Sequence, residues 1–287
     1  METVAQIRTV AIVGVGLIGG SFALALRRQG FTGRILGVSS PSTLEQALEL
    51  KVVDEGCPLE EGVRRADLVY LANPIGRILE QLPLVARAVR PESLVTDAGS
   101  TKQQIVQEAA RHFAPGVFLG GHPMAGKDSR GVAAADPCLF EGRPYIVTPD
   151  SGQDLGRPIV REFLEWLRLI GSVLLELSPL THDQRVGRAS HLPQLCSSAL
   201  SEMLGTSPEA PFLAEVAGPG LFDMTRLAMS SHDVWNDIMR TNKAVLLAAL
   251  DAYILNLQSV RYLVSSGDTN TLFSDAARFS KRIRKID

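Results

Sequence analysis

Three polar residues follow short apolar runs in this chain, at positions where side chains are available for chemistry. His122 lies in "GGHPMAGKDSRG", Ser100 closes "SLVTDAGS", and Asn73 closes "DLVYLAN". Glycine and proline around His122 disfavour a regular helix or an interior strand, so we expect a loop of fixed shape. An imidazole beside a hydroxyl fits removal of a hydroxyl proton while hydride leaves the same carbon. His122 is therefore a candidate general base, and a turn histidine bonded to its own backbone is the simpler alternative.

A glycine pattern near the start of the chain indicates a dinucleotide. "GVGLIG" fits G-x-G-x-x-G at Gly14, Gly16 and Gly19, between a predicted strand and a predicted helix. The first glycine permits a tight turn, the second lets the backbone approach a pyrophosphate, and the third allows close packing of helix on strand. The start of the helix favours the anion. We expect the cofactor to contact these glycines and also Leu17 and Ile18.

The end of the second predicted strand bears on the choice of cofactor. Many NAD sites place an acid there for the ribose 2′-hydroxyl, whereas this chain has Ser39 with no carboxylate close behind it. An acid would repel a 2′-phosphate, and hydroxyl groups can donate hydrogen bonds to one. We expect Ser39, Ser40 and Thr43 to form such a cradle, with Asn73 also at the cofactor. The sequence therefore favours NADP over NAD, although no arginine accompanies these hydroxyls.

Alternating strands and helices must position these residues. Short β-branched runs separated by helical patterns are typical of an α/β fold, with a parallel sheet covered by helices on both faces. In such a sheet, ligands lie at the carboxyl ends of the strands. Residues 1–178 are therefore predicted to form a dinucleotide-binding domain. Its predicted strands are 8–15, 34–39, 67–73, 93–100, 117–123, 143–149 and 172–178.

The strand signal disappears after about residue 179. Residues 181–204 and 233–264 have helical periodicity, so residues 179–287 are predicted to form an all-helical domain for substrate binding and dimerisation. The second segment is long and strongly apolar. A small domain has difficulty burying such a surface alone, which indicates a homodimer that assembles through the C-terminal helices.

Composition narrows the expected partners and location. The 287 residues have a net charge of −2 and no basic stripe with interleaved aromatic residues, so nucleic acid is not an expected partner. The apolar run "VAIVGVGLIGGSFALAL" contains glycines and fits strand, turn and helix, so no membrane partner is expected. Cys57, Cys138 and Cys196 show no C-x-x-C spacing. This argues against a zinc site or a disulfide framework and predicts a cytoplasmic protein without a metal.

Five sequence segments occur in a characteristic order. They are "GVGLIGGS", "DAGSTK", "GGHPMAG", "HDQRVGRASHLP" and "FDMTRLA…VWNDI…TNK". Together they resemble the prephenate and arogenate dehydrogenases of tyrosine biosynthesis, over essentially the whole chain. The resemblance implies a Rossmann-type domain followed by a helical dimerisation domain. It also implies an oxidative decarboxylation, in which hydride leaves C4 of a cyclohexadiene and the ring carboxylate leaves as CO2.

The resemblance implies roles for four side chains. His122 accepts the proton of the C4 hydroxyl, and Ser100 hydrogen-bonds at the same place and helps orient His122. Arg226 in "DMTRLA" binds a substrate carboxylate through two parallel hydrogen bonds. His191 in "SHLP" lines the substrate pocket. The remaining histidines match no catalytic role and are expected to be structural or exposed: His112, His182 and His232.

The chain departs from the family pattern at two places, and the substrate stays open. Lys127 and Asp128 follow "HPMAG", where the family often has threonine and glutamate, and Asn73 replaces a usual threonine. The substrate is either prephenate, which gives 4-hydroxyphenylpyruvate, or arogenate, which gives tyrosine directly. Another two-domain hydroxyacid dehydrogenase commonly uses a catalytic lysine, which "HPMAG" and "SHLP" disfavour. A non-catalytic nucleotide sensor is disfavoured because His122, Ser100 and Arg226 occur together.

Overall fold

Strands and helices alternate over the first part of the chain. The structure, a computed structural model, describes residues 6–150 and 154–286. In these residues the strands are β1 (Thr9–Val13), β2 (Arg34–Val38), β3 (Glu55–Gly56), β4 (Leu68–Leu71), β5 (Leu94–Asp97), β6 (Phe118–Pro123), β7 (Pro144–Thr148) and β8 (Val173–Glu176). The helices among them are α1 (Leu17–Arg28), α2 (Pro41–Glu49), α3 (Leu59–Arg65), α4 (Ile75–Ala88), α5 (Gln103–His112) and α6 (Pro158–Leu169).

The strands form one sheet in the order β3-β2-β1-β4-β5-β6-β7-β8. Neighbouring strands are parallel except β6 and β7, which run antiparallel with His122 opposite Ile146. The prediction of a mostly parallel sheet is therefore confirmed. The strand order reverses between β1 and β4, and the crevice outside their carboxyl ends is where sheets of this kind bind ligands.

Apolar side chains cover both faces of the sheet. Val10 and Ile12 of β1 belong to one buried cluster together with Phe22 of α1, whereas Ala11 and Val13 belong to a second cluster on the opposite face. All five residues are fully buried. Because both faces of β1 are covered, its sequence is continuously apolar rather than alternating, as expected for a central parallel strand.

Two short elements between α2 and β4 were not predicted from the sequence. Strand β3 has only two residues, and α3 has seven, so neither is long enough to show a clear period. Helix α1 begins at Leu17, directly after Gly16 of the glycine motif. The glycines at the start of α1 belong to its first turn, so Leu17 lies directly at the end of the glycine loop.

Gly14 and Gly19 allow helix α1 to approach the sheet. The φ angle of Gly14 is +99°, in the left-handed region, and a Cβ there would lie 2.6 Å from Asn73 Oδ1. A Cβ on Gly19 would overlap the carbonyl oxygen of Gly14 and lie 2.7 Å from Ile12 Cγ2. Two of the three motif glycines are thus required by the protein's own packing, in the roles expected from the sequence.

From Pro179 onward the described chain is helical, as predicted. A π-helical segment, Gly187–His191, joins the first two helices without a break. Such segments contain one extra residue per turn and occur frequently at functional sites. The helices are α7 (Pro179–Val186), α8 (Leu192–Gly205), α9 (Ala210–Glu215), α10 (Pro219–Thr225), α11 (His232–Thr241), α12 (Lys243–Ser266) and α13 (Asn270–Arg284).

The same substitution at two motif glycines should destabilise the fold at Gly19 and have little effect at Gly16. Gly19→Ser forces a side chain into packed backbone and should lower the free energy of unfolding by about 1–3 kcal/mol. Gly16→Ser is the matched control, because a Cβ there meets no atom within 4 Å and serine is a favourable residue at a helix N-cap. Urea unfolding of both variants measures the difference. Equal stabilities would contradict the close packing at Gly19.

Candidate active site

A cleft between the sheet and the helices contains two adjoining compartments. The histidine compartment, of about 830 Å³, is lined by His122 and His191. The glycine-loop compartment, of about 650 Å³, is lined by Leu17 and Asn73. Ser100 lines both compartments. Ligand groups held in the two compartments would therefore meet beside the Ser100 hydroxyl.

The glycine-loop compartment fits the pyrophosphate of a dinucleotide. Leu17 and Ile18, the first residues of α1, line it, and Gly16 is the N-cap of this helix. No side-chain cap covers the N-terminus of α1, and a Cβ on Gly16 would point into open space. Backbone N–H groups at a helix N-terminus attract an anion, and the open space at Gly16 lets it come close.

The hydroxyl groups after β2 are partly used within the protein. Ser40 is the N-cap of α2, where its Oγ accepts from the Thr43 amide at 3.4 Å and lies 2.9 Å from Thr43 Oγ1. This cap accounts for both residues without any ligand. Ser39 is half-buried, and its hydroxyl has no hydrogen-bond partner among the described residues. Within the expected cradle, Ser39 is therefore the hydroxyl that makes no hydrogen bond to the described protein.

Asn73 is held against the glycine loop. Its Nδ2 donates to Gln81 Oε1 at 2.9 Å, and Gln81 is itself buried in α4. Its Oδ1 occupies the space that a Cβ on Gly14 would need. Asn73 thus closes the glycine-loop compartment with a fixed amide group after the end of β4.

His122 lies within β6, one residue before its end, and not in the loop expected from its glycine and proline neighbours, because it pairs with Ile146 of β7. It is buried, with 7% of its surface exposed. Its Nδ1 lies 2.8 Å from Nε2 of His182. Burial lowers the pKa of His122 well below 6.5, and the nearby His182, Lys102 and His191 lower it further. The ring is therefore neutral at pH 7, which is the form that accepts a proton.

His182 is the contact of His122 that sequence reasoning missed. It begins the segment "HDQRVGRASHLP", but no catalytic role was assigned to it and it was expected to be structural or exposed; in the structure it is fully buried. Its Nδ1 lies 2.8 Å from Oδ1 of Asp183. Burial lowers the pKa of His182, whereas Asp183 opposes this shift. The position of both residues at the start of the family segment "HDQRVGRASHLP" was the signal that could have identified this pair.

Asp183 connects α7 to the start of α5. Its Oδ1 accepts from the Lys102 amide at 2.7 Å, and its Oδ2 accepts from the Gln103 amide at 2.9 Å. Lysine is a poor N-cap residue, so a carboxylate from another helix takes over the capping of α5. This contact fixes the helical part of the chain against the sheet, directly beside His122.

A buried ion pair shapes the loop before His122. The Lys102 ammonium donates to Asp97 and, at 2.7 Å, to the carbonyl oxygen of Gly121; both charged side chains are completely buried. Burial lowers the pKa of Lys102, and Asp97 opposes that shift. Asp97 also accepts from the amides of Gly99 and Gly121, so the ends of β5 and β6 are tied together.

The structure corrects the expected orienting role of Ser100. The ring of His122 is oriented by His182, and the Ser100 hydroxyl has no hydrogen-bond partner among the described residues. Ser100 nevertheless lies in the histidine compartment, half-buried and with its hydroxyl free to bond a ligand. Its expected position at the end of β5 is found, whereas the contact with His122 is not.

His191 lines the histidine compartment from the π-helical segment. It is buried, its Nδ1 accepts from Asn242 Nδ2 at 3.3 Å, and its ring meets the edge of Trp235 at 5.7 Å. Burial lowers the pKa of His191 to about 4. The side chain is therefore a neutral hydrogen-bonding group at pH 7. Trp235, for which the sequence predicts no role, also lines both compartments.

Arg226 lines the glycine-loop compartment and not the histidine compartment. It is exposed, and no carboxylate pairs with it in the described part of the chain. The alternative of an ordinary surface ion pair is therefore not found there. Asp128 lines the same compartment and is also exposed. Within residues 6–150 and 154–286, no group of three His, Cys, Asp or Glu side chains could hold a metal ion.

A neutral imidazole in one compartment and a dinucleotide site in the other can remove a proton and a hydride from one carbon. This arrangement defines the class of dinucleotide-dependent dehydrogenases with a separate helical domain. Comparison with known families narrows the class. Residues 22–175 match "Prephenate dehydrogenase, nucleotide-binding domain", and residues 178–276 match "Prephenate dehydrogenase, dimerization domain". The chain belongs to the prephenate dehydrogenase family, and the resemblance inferred from the motifs is confirmed.

Individual relatives agree with this assignment. The prephenate dehydrogenase of Bacillus subtilis (strain 168) is 36% identical over 270 residues, which are 92% of this chain and 72% of the relative. The prephenate dehydrogenase of A. aeolicus, solved with hydroxyphenyl propionate and NAD+, is 31% identical, with a TM-score of 0.89 and complete coverage of both chains. The arogenate dehydrogenase of Synechocystis is 29% identical, with a TM-score of 0.82 over 96% of this chain and 99% of the other.

Proposed function

We propose that this dehydrogenase oxidises and decarboxylates prephenate to 4-hydroxyphenylpyruvate, with NADP favoured over NAD. The observation that carries the proposal is the neutral, buried His122 in a compartment that adjoins the glycine loop. The relatives from Bacillus subtilis and A. aeolicus, both called prephenate dehydrogenases, support this substrate. Aromatisation of the ring makes the reaction strongly favourable.

Four side chains would bind the substrate and accept its proton. His122 accepts the proton of the C4 hydroxyl, and Ser100, beside it in the cleft, hydrogen-bonds the same oxygen. Arg226, which has no carboxylate partner in the described protein, binds a substrate carboxylate. His191 lines the pocket as a neutral group. The bound dinucleotide supplies the hydride acceptor, and the glycine loop with Leu17, Ile18 and Asn73 positions it.

The charges around the histidine compartment favour prephenate over arogenate. Arogenate carries an ammonium where prephenate has a keto group, and an ammonium needs an unpaired carboxylate. The two carboxylates that line the described compartment are already paired, Asp136 with Lys127 at 2.6 Å and Glu141 with Arg28 at 2.5 Å. Arg143 adds a further positive charge to the lining. Arogenate remains the second candidate because of the similarity to the Synechocystis enzyme.

A homodimer in the cytoplasm completes the proposal. Helix α12 is long and apolar enough to cross a membrane by length and composition, and only 11% of its apolar window is buried within one chain. Exposed apolar residues also occur on α13, among them Phe273 and Phe279. Faces of this kind mark interaction surfaces. The match to a family dimerization domain over the same helices supports a second copy as the cover, and the free cysteines support a reducing compartment.

An assay of four pairs tests the proposed reaction. Prephenate and arogenate are each mixed with NAD and with NADP, and cofactor reduction is followed by its absorbance. We expect the highest kcat/KM for prephenate with NADP. Faster turnover of arogenate would assign the second candidate, and no reduction with any of the four pairs would refute the proposed activity.

Removal of the proposed base should affect turnover alone. His122→Asn should lower kcat by about 10²–10⁴-fold, the usual contribution of a general base, and leave the Kd of the dinucleotide unchanged. His112→Asn, on the exposed side of α5, is the control for loss of a histidine. Near-normal turnover of His122→Asn would exclude this residue as the base.

Loss of Arg226 should weaken substrate binding. Removing one partner of a charge-assisted pair costs about 2–5 kcal/mol, and the exposure of Arg226 suggests the lower end, or about 30-fold in KM. We expect Arg226→Ala to raise KM for the substrate by that factor and to change KM for the dinucleotide little. Arg185→Ala, an exposed arginine of α7, is the control. An unchanged substrate KM would argue decisively against the carboxylate role.

The charge at residue 39 should decide between the two cofactors. Ser39→Asp places a carboxylate near the 2′-phosphate of NADP, where repulsion at about 4 Å is worth roughly a few kcal/mol. We expect kcat/KM for NADP to fall strongly and that for NAD to rise modestly. Ser39→Asn is the control, because asparagine has the shape of aspartate without its charge. If the native protein prefers NAD, or if the ratio does not move in Ser39→Asp, Ser39 does not read the 2′ position.

A further inference from the structure

We propose that His182 and Asp183 are positioning residues that set the tautomer of His122, so that its Nε2 carries the lone pair that faces the substrate. The inference rests on the proposed function only in that His122 is the base. The tautomer itself is a property of the folded protein and can be measured without substrate.

The direction of each hydrogen bond follows from the Asp183 carboxylate, which can only accept. Asp183 accepts backbone N–H bonds from Lys102 and Gln103 on its two oxygens, so it acts as an acceptor toward His182 as well. The proton between Asp183 and His182 therefore belongs to Nδ1 of His182, across 2.8 Å. A neutral histidine with a proton on Nδ1 has an acceptor at Nε2. Burial keeps His182 in this neutral form, because it lowers the pKa of the ring.

The next bond transmits the arrangement to His122. Nε2 of His182 is an acceptor, so Nδ1 of His122, 2.8 Å away, must donate to it. Nε2 of His122 is then unprotonated, and it makes no hydrogen bond to any residue in the described chain. His122 lines the histidine compartment, so this nitrogen is the one available there. In the opposite tautomer, two lone pairs would face each other between the histidines in a buried site.

The same hydrogen bonds, from His122 through His182 to Asp183, would stabilise His122 after it takes up the proton. At Nε2 the substrate O–H bond would be exchanged for an N–H bond, while a bound dinucleotide would accept the C4 hydride as CO2 leaves. His122 becomes an imidazolium whose Nδ1–H still donates to His182, with the Asp183 carboxylate behind it. The proton would then return from Nε2 to the phenolate oxygen of the product. The other charged or titratable groups facing the pair are Lys102, Asp97 and His191, and Lys102 is already neutralised by Asp97.

The first test is the tautomer in the resting protein. The chain has five histidines, so labelling with ring-15N histidine gives five pairs of signals, and the loss of one pair in His122→Asn identifies residue 122. At pH 7 we expect His122 to show a protonated Nδ1 and an unprotonated Nε2. A protonated Nε2, or a mixture of the two tautomers, would overturn the proposal. The result does not depend on which substrate the enzyme uses.

The second test separates positioning from general support of the fold. His182→Met removes the acceptor, and His182→Gln restores one, because the glutamine Oε1 can take the place of Nε2. We expect His182→Met to lower kcat by about 10–100-fold, the range found for the hydrogen-bond partners of metal-bound histidines. The KM values for substrate and dinucleotide should stay within about 3-fold of those of the native protein. Gln should recover most of the loss, and the Nδ1-protonated tautomer should persist in Gln and become mixed in Met.

Two other kinetic outcomes would contradict the positioning role of His182. A rise in KM with unchanged kcat, or equal kcat in Met and Gln, would overturn the positioning role. If His182→Met does not fold, His182→Gln and the tautomer of the native protein decide the question. His112→Gln is the control for histidine replacement at an exposed site. Should none of the four substrate and cofactor pairs react, the proposed function fails, whereas the tautomer measurement still tests the hydrogen-bonded chain.

Discussion

The cleft depends on one carboxylate that is shared between the two parts of the chain. Asp183 belongs to the first helix after the sheet, and it caps α5, whose start lies directly after β5. The same carboxylate holds His182 against His122 of β6. Asn242 of the helical part donates to the Asp183 carbonyl at 3.0 Å, and the side of the cleft that carries His191 is thereby held in place. The walls of the histidine compartment therefore share one anchor.

The buried ion pair of Lys102 and Asp97 stabilises the same region, although burying two charges requires a large desolvation free energy. Two charges without solvent are stable only when their hydrogen bonds are satisfied, and breaking such a pair costs about 3–5 kcal/mol. Here Asp97 accepts from two backbone amides, and Lys102 donates to the Gly121 carbonyl. The pair thus fixes the backbone just before His122. The Lys102 side chain is fully buried, and its ammonium group is already bonded to Asp97 and to the Gly121 carbonyl.

Local patterns made the sheet, the glycine loop and His122 predictable, because each depends on a short stretch of residues. The contact between His122 and His182 was not predictable, since sixty residues separate the two and only packing brings them together. The missing bond at Ser100 has the same origin. For Ser40 and Thr43, the local pattern predicted a phosphate cradle, whereas the structure uses both residues in the N-cap of α2. Hydroxyl groups suit either use, so the local sequence does not distinguish them. The direction of β7 depends on its neighbours rather than on its residues.

The π-helical segment between α7 and α8 sets the rotational phase of two functional faces. An α-helix advances about 100° per residue, so one extra residue turns everything beyond it by that angle. His182 and Asp183 lie before the segment and face α5 and β6, whereas His191 ends it and faces the cleft. A regular helix through residues 187–191 would leave one of these faces directed elsewhere. Insertion or deletion of one residue in this segment would therefore rotate His191 by about 100° relative to His182 and Asp183, whereas a change at the far end of α8 would not alter that phase.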